Sequence, residues 1–204
     1  METRRTYRIC TLLCGLILLV AQLAWAAPPD AGFGADSQTP SLGSGKIKVR
    51  LYADFFCAPC RAMEPKVEPI IADLVKRNVI TITFIDAPFH QHSSLYTRYF
   101  LFIYREKKDV DHILRARNVL FGASRDNVKE GLQPVTDPQK LEEQLTKSGI
   151  RFRPFDVAPV FHVLEEYLKE DKIMETPTCV IINGGKREAY KGGADIIKAL
   201  TSLK

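Results

Sequence analysis

Apolar residues alternate with polar ones over residues 46–55, KIKVRLYADF, and Ile47, Val49 and Leu51 fall on one side. That period predicts a half-buried strand. The period then changes: Val67, Ile70, Ile71, Leu74 and Val75 recur at helical spacing, and Asn78 offers a stop. VITITFIDAP, dense in β-branched residues, predicts a second strand. Strand, helix and strand with short connections make a βαβ unit whose two strands run parallel. From Ser93 to Asp171 no strand pattern occurs; SSLYTRYFLFIYREKK, DVDHILRARNVLF, DPQKLEEQLTKSG and DVAPVFHVLEEYLKED each predict a helix. The third is punctuated by Asp137 as N-cap, Pro138 in its first turn and Gly149 past its end. METPTCVIING predicts a third strand and KREAYKGG a fourth, antiparallel to it through a tight turn at Gly184 and Gly185. ADIIKALTSLK closes the chain as an amphipathic helix. The predicted class is α/β, in the order βαβ, helical block, ββα.

The first 45 residues follow neither period. METRRTYRIC places Arg4, Arg5 and Arg8 before the apolar run TLLCGLILLVAQLAW, and Ala24 and Ala26 then form a small-x-small site ahead of Pro28 and Pro29. This order predicts a cleaved secretory signal peptide over residues 1–26, with a retained membrane anchor as the rival reading. Residues 27–45, rich in Gly, Pro, Ser and Ala, read as a flexible linker. Residues 46–204 then form the folded domain, with the helical block at about 92–172 set into it. Cleavage takes Arg4, Arg5, Arg8 and Glu2 with it, so the formal charge falls from +5 to +3. So mild and scattered a charge excludes a nucleic-acid partner.

Export to the periplasm or beyond also reduces five cysteines to three, Cys57, Cys60 and Cys179. One close pair is a poor staple, because closing so short a loop removes little entropy from the unfolded chain. Redox chemistry is the better explanation. In DFFCAPCRAMEP, Cys57 sits where the first strand hands over to the helix. Unpaired N–H groups and the helix dipole favour an anion there, and lowering a thiol from about 8.5 to about 7 leaves it half ionised at neutral pH. Cys60, one turn later, is within disulfide reach and better shielded. Cys57 is then the attacking thiolate and Cys60 the thiol that resolves a mixed disulfide. A zinc site would need two more ligands; Cys179 is alone, and His90 and His92 read as a surface turn, so no metal is expected. Cys179 reads as a buried small hydrophobe, and Tyr96, Tyr99, Phe100, Phe102 and Tyr104 as helix core.

CAPCRAMEP resembles the active site of the thioredoxin superfamily, including Pro65 five residues beyond the second cysteine. Thr176-Pro177-Thr178, leading into the third strand, resembles that superfamily's second anchor. The larger helical block, YADFFCAPC and APFHQHSS are similar to DsbA-like exported oxidoreductases. The resemblance implies a thioredoxin fold with an inserted helical subdomain and thiol:disulfide oxidoreductase activity on protein or peptide substrates. It implies Ala58-Pro59 as the active-site dipeptide, a cis Thr176–Pro177 docking edge, and a bend at Pro65. No cofactor is implied beyond the Cys57–Cys60 disulfide, but a redox partner is, a membrane protein among the candidates. Two departures stand out. Leu51 occupies the position of the family's buried acid, and Asp54 should point to the opposite face of the strand. Ala58-Pro59 replaces DsbA's Pro-His, which argues for a lower potential and admits a reductase. Phe56 stands where thioredoxin has a shielding tryptophan, and Pro69 leaves open a helix that breaks and restarts. The rival class is a thioredoxin-fold binding module, such as a copper carrier or periplasmic chaperone.

Overall fold

The computed structural model describes residues 39–125 and 131–203. The signal peptide expected over 1–26, and residues 27–38 of the expected linker, lie outside them. The alternation at 47–53 forms strand β2, Ile47–Ala53, and the β-branched run forms β3, Ile80–Asp86. They pair in parallel, from Ile47 opposite Ile80 to Ala53 opposite Asp86. Strand β4, Thr178–Asn183, lies antiparallel on the other side of β2, and β5, Lys186–Lys191, is antiparallel to β4. With β1, Ser41–Leu42, the sheet order is β1-β3-β2-β4-β5.

Side chains alternate across the sheet and so feed two layers. Val49, Leu51, Ala53, Ile82, Phe84, Cys179 and Ile181 enter the main core, whereas Tyr52, Ile85 and Val180 face a smaller one. The main core is closed by helices α1 (Ala58–Lys76), α2 (Ser93–Glu106), α3 (Val110–Ala123) and α4 (Pro138–Lys147) and by α6 (Gly193–Thr201). Helix α5, Ala158–Glu170, covers the smaller core through Val160 and Leu164. The aromatic run of α2 is buried as expected: Tyr96, Tyr99, Phe100, Phe102 and Tyr104 are all core residues. The fold is the thioredoxin fold, and α2 to α5 lie between β3 and β4.

Helix α1 buries Cys60, Met63, Glu64, Val67, Ile71, Leu74 and Val75 along one stripe. Its end follows from Asn78, whose left-handed φ of 57° lets Asn78 N–H reach the Val75 carbonyl and Val79 N–H the Leu74 carbonyl. This pair of bonds satisfies carbonyls that the last turn leaves open. Pro65 and Pro69 both lie inside this single helix, so a break and restart does not occur. Both face solvent, where the missing N–H of Pro69 leaves the Pro65 carbonyl to water while the buried stripe runs on unbroken.

Residues 39–45 depart from the linker reading. Ser41–Leu42 forms β1, antiparallel to β3, with Leu42 buried and Ser41 Oγ 2.8 Å from Thr83 Oγ1. Without it β3 would present an open edge, and a two-residue strand has no period for a sequence pattern to display. On the far side of the sheet, Asp171 at the end of α5 accepts from the Tyr52 hydroxyl at 2.5 Å and from Arg50 at 3.1 Å, and Arg187 bonds it as well. This anchors the chain a few residues ahead of Thr176. No helix among the described residues is long and apolar enough to cross a membrane.

Gly45 donates to the Ile80 carbonyl at 3.1 Å, and a Cβ on it would sit 2.1 Å from the Val79 carbonyl carbon. Gly45→Ala is therefore expected to destabilise by about 1–3 kcal/mol, the range for overpacking. Gly122→Ala, on an exposed position of α3 with open space around it, should stabilise slightly. Urea unfolding of the two variants checks both; equal midpoints would contradict the packing argument.

Candidate functional site

The turn between β2 and α1 is built around the Asp54 carboxylate, which is 1% exposed. It accepts from the N–H groups of Phe56 and Phe89 at 2.8 Å and of His90 at 3.1 Å, and from Ser93 Oγ at 2.7 Å. His90 Nδ1 lies 2.9 Å from it. Asp54 thus staples the segment entering α1 to the loop after β3, and His90 is part of that staple as well as of a surface turn. Cys57 N–H donates to the Asp54 carbonyl at 3.0 Å, and Cys57 becomes the N-cap of α1 in extended conformation. Pro59 falls in the first turn, where its missing N–H is not needed by the helix.

The two sulfurs lie at the buried edge of this turn, Cys57 5% exposed and Cys60 0%. In its protonated form the Cys57 thiol donates to the Thr176 carbonyl, 3.3 Å away. Its pKa is lowered to about 6, chiefly by a hydrogen bond from the Cys60 thiol, which outweighs burial. The Thr176 side chain and the Cys60 backbone N–H help, and the nearby Asp54 charge works against them. The Cys60 thiol is pushed up, by the proton it shares with Cys57 and then by burial. The pair therefore holds one negative charge, placed on Cys57. The helix start contributes through the Cys60 N–H, but after the partner thiol and the Thr176 side chain, an order that spacing does not reveal.

Thr176 and Pro177 close the other side of the site, with a cis peptide bond between them. The Pro177 carbonyl accepts from Gly192 N–H at 3.0 Å, and Thr178 Oγ1 donates to the Glu175 carbonyl at 2.9 Å. Cys57, Cys60 and Thr176 are thus brought together from elements more than a hundred residues apart. Ala58 and Pro59 stand exposed beside them. Phe56 packs edge-on to Tyr96 at 4.9 Å and lies near His92. The exposed Phe89 and Met174, the latter 86% exposed, belong to the same two loops as Asp54's partners and Thr176. Cys179 stays apart: it is fully buried opposite Leu51 on β2, and burial pushes its thiol up to about 12. Among the described residues, no three His, Cys, Asp or Glu side chains are placed to hold a metal ion.

Sequence reasoning missed the buried ions nearby. Arg117 of α3 is fully buried and forks onto Glu64 of α1, through Nε at 2.6 Å and Nη2 at 3.0 Å. Asp86, the last residue of β3, has its carboxylate 3.9 Å from Arg117 Nη1. The signal was present in the spacing: Glu64 shares the buried stripe of α1 with Cys60, and Arg117 shares that of α3 with Ile113, Leu114, Ala116 and Leu120.

A protein-family model described as thioredoxin matches residues 37–201 of the chain. No curated protein matches it by sequence. Among solved structures, it is similar to a periplasmic thioredoxin-like protein from Salmonella enterica serovar Typhimurium, at 18% identity and a TM-score of 0.58, over 80% of this chain and 87% of that one. BdbD from Bacillus subtilis, in its oxidised form, aligns at 19% identity and a TM-score of 0.54, over 81% and 92%. Pseudomonas aeruginosa DsbA2 aligns at 17% identity and a TM-score of 0.55, over 80% and 91%. Likeness at these identities establishes a common fold.

Thiolate at Cys57 should be present above about pH 6 and lost as the pH falls through that value. Alkylation rate against pH reads this directly. Cys60→Ala removes the main donor and should raise the midpoint by about one unit or more. A midpoint near the ordinary cysteine value in the parent, or no change in Cys60→Ala, would contradict the shared-proton arrangement.

Proposed function

The chain belongs to the thioredoxin family, and on that footing we propose that it is a thiol:disulfide oxidoreductase acting on protein or peptide substrates. The observation that carries this reading is the placement of the sulfur pair, Cys57 at the N-cap of α1 and 3.3 Å from the Thr176 carbonyl with Cys60 buried one turn behind it, an arrangement that lowers the Cys57 thiol and raises that of Cys60. The Cys57 thiolate attacks a substrate disulfide, forming a mixed disulfide and expelling one substrate thiolate. Cys60 then loses its proton and attacks Cys57 sulfur; the mixed disulfide breaks, the Cys57–Cys60 disulfide forms, and two electrons have passed to the substrate. Run in reverse, the same steps oxidise a substrate dithiol. The redox-active disulfide is the only cofactor this scheme uses, and a separate redox partner resets it.

Thr176 and Pro177 serve as the substrate-docking edge in this proposal, since the Thr176 carbonyl lies 3.3 Å from the Cys57 sulfur. Ala58 and Pro59, exposed next to that sulfur, face the incoming chain. The signal-like order of residues 1–26 supports a periplasmic or secreted location, as does the printed description of one similar structure as periplasmic. The Cys57 thiolate supports a reductase-like poise in this proposal. A Cys57 pKa of about 6 is nearer the value of about 7 for thioredoxin than the value of about 3.5 for DsbA.

The reduction potential is accordingly expected nearer about −270 mV than about −120 mV. Equilibration with glutathione measures it. Insulin reduction in dithiothreitol should proceed with the parent and fail with Cys57→Ser. Equal behaviour of the two proteins, together with tight stoichiometric binding of Cu(I), would replace the exchange reading by that of a copper carrier.

A further inference from the structure

We propose that the groove between α1 and α3, which opens beside Ala58, receives an acidic side chain of the substrate polypeptide, with Arg61 as the residue that binds it. The inference rests on the exchange reading above. The groove holds about 380 Å³ and is open because its walls are small. Ala58 and Ala62 stand exposed on α1, and a Cβ on Gly122 of α3 would meet nothing within 4 Å. Pro65 and Phe121 add apolar surface. Glu64 also lines the groove, but its carboxylate is taken by the Arg117 fork. At the far end the Asn118 side chain donates to Glu68. An acid is already in place there, so an incoming carboxylate belongs at the end next to the cysteines.

Arg61 supplies the opposite charge at that end. Its Nη1 donates to the Ser124 carbonyl at 3.3 Å and its Nη2 to the Phe56 carbonyl at 3.5 Å. Ser124 is the C-cap of α3 and Phe56 precedes Cys57, so the guanidinium is held between the end of α3 and the turn that presents the reactive sulfur. Ser124 Oγ donates to the adjacent Phe55 carbonyl at 2.5 Å and fastens the same two segments. Among the described residues no carboxylate pairs with Arg61. Both its bonds go to neutral carbonyls, which leaves the cation uncompensated and further N–H donors over. A guanidinium already held in place loses little freedom on taking up a carboxylate, and the charge-assisted bonds it makes are the stronger kind. Arg125, exposed on the rim, has the same sign. Thr176 borders the Cys57 sulfur on one side and Ala58 follows Cys57 on the other. An extended substrate laid along that edge therefore passes over the sulfur and brings a side chain to the groove. At about 3.3 Å per residue, this side chain belongs within about four positions of the substrate cysteine.

Short peptides test this, each with one cysteine activated as its 2-pyridyl disulfide and with Glu, Gln or Lys placed in turn within about four positions on either side. The Cys57 thiolate of the reduced protein attacks the peptide sulfur and expels pyridine-2-thione, whose absorbance gives the rate. Cys60 then attacks Cys57 and releases the peptide as its thiol. At one or more positions Glu should react faster than Gln by about threefold or more, the scale of a partly exposed ion pair, and Lys slower. In Arg61→Met the Glu-to-Gln ratio should fall to about one, while Arg61→Lys, which keeps the charge but not the fork, should retain part of it. A purely structural Arg61 would slow every peptide alike and leave that ratio in place. The proposal is overturned by a ratio near one at every position in the parent, or by the parent's ratio in folded Arg61→Met. The same peptides with serine for cysteine give a reading that needs neither exchange nor a variant. Nitrogen NMR of the reduced protein should show the Arg61 Nε–H and the Gly122 amide moving with the Glu peptide and not with its Gln counterpart; equal shifts with both, or none, would also overturn it. If no peptide disulfide reacts, the exchange reading falls, and this titration still decides whether the groove takes an acid.

Discussion

A single negative charge shared between two sulfurs at the start of α1 is the interaction on which the arrangement of the site depends. One thiol can be held as an anion only because the other, one turn on, keeps its proton and donates it. Burial opposes ionisation at both sulfurs, so the inequality between them comes from hydrogen bonding rather than from exposure. The inequality also assigns direction along the helix. The sulfur at the N-cap, beside the Thr176 carbonyl, is the one that carries charge, and the sulfur inside the helix is the one that is sealed.

That geometry is held from three directions. Asp54 ties the turn before Cys57 to the loop after β3, using four donors besides the His90 ring. The β2–β4 pairing brings Tyr52 opposite Thr178 and so delivers Thr176 and Pro177 to the same end of the sheet. Asp171 and its arginine and tyrosine partners fix the end of α5 ahead of that loop. None of these groups belongs to the cysteine helix, yet they hold the segments on either side of the 3.3 Å approach of Thr176 to Cys57.

The absence of an acid at position 51 has a structural counterpart. Leu51 lies between Phe84 and Cys179 in the sheet register, inside the apolar layer. Carboxylates enter the interior from α1 and from the end of β3 instead, with Arg117 of α3 as counter-ion. Burying an ion pair costs several kcal/mol of hydration per ion, which the fork onto Glu64 and the surrounding aromatic faces offset in part.

Much of this was legible in the chain. Period-two alternation at 47–53 and period-3.6 repetition at 67–75 specify which faces must be buried, and burial is the dominant local constraint. The cysteine spacing and its place at a strand–helix junction follow from the same patterns, as does the burial of Cys179 and the α2 aromatics. The two-residue β1, the unbroken passage of α1 through Pro65 and Pro69, and the staple role of Asp54 did not follow, because each depends on a partner far along the chain. The sequence by itself determined the order of elements, their buried faces and the reactive pair, all properties of neighbours within a few residues. Only the tertiary structure decided which sulfur keeps the charge and which charged side chains meet in the interior, because electrostatic energies depend on distances in space and on the water excluded between groups.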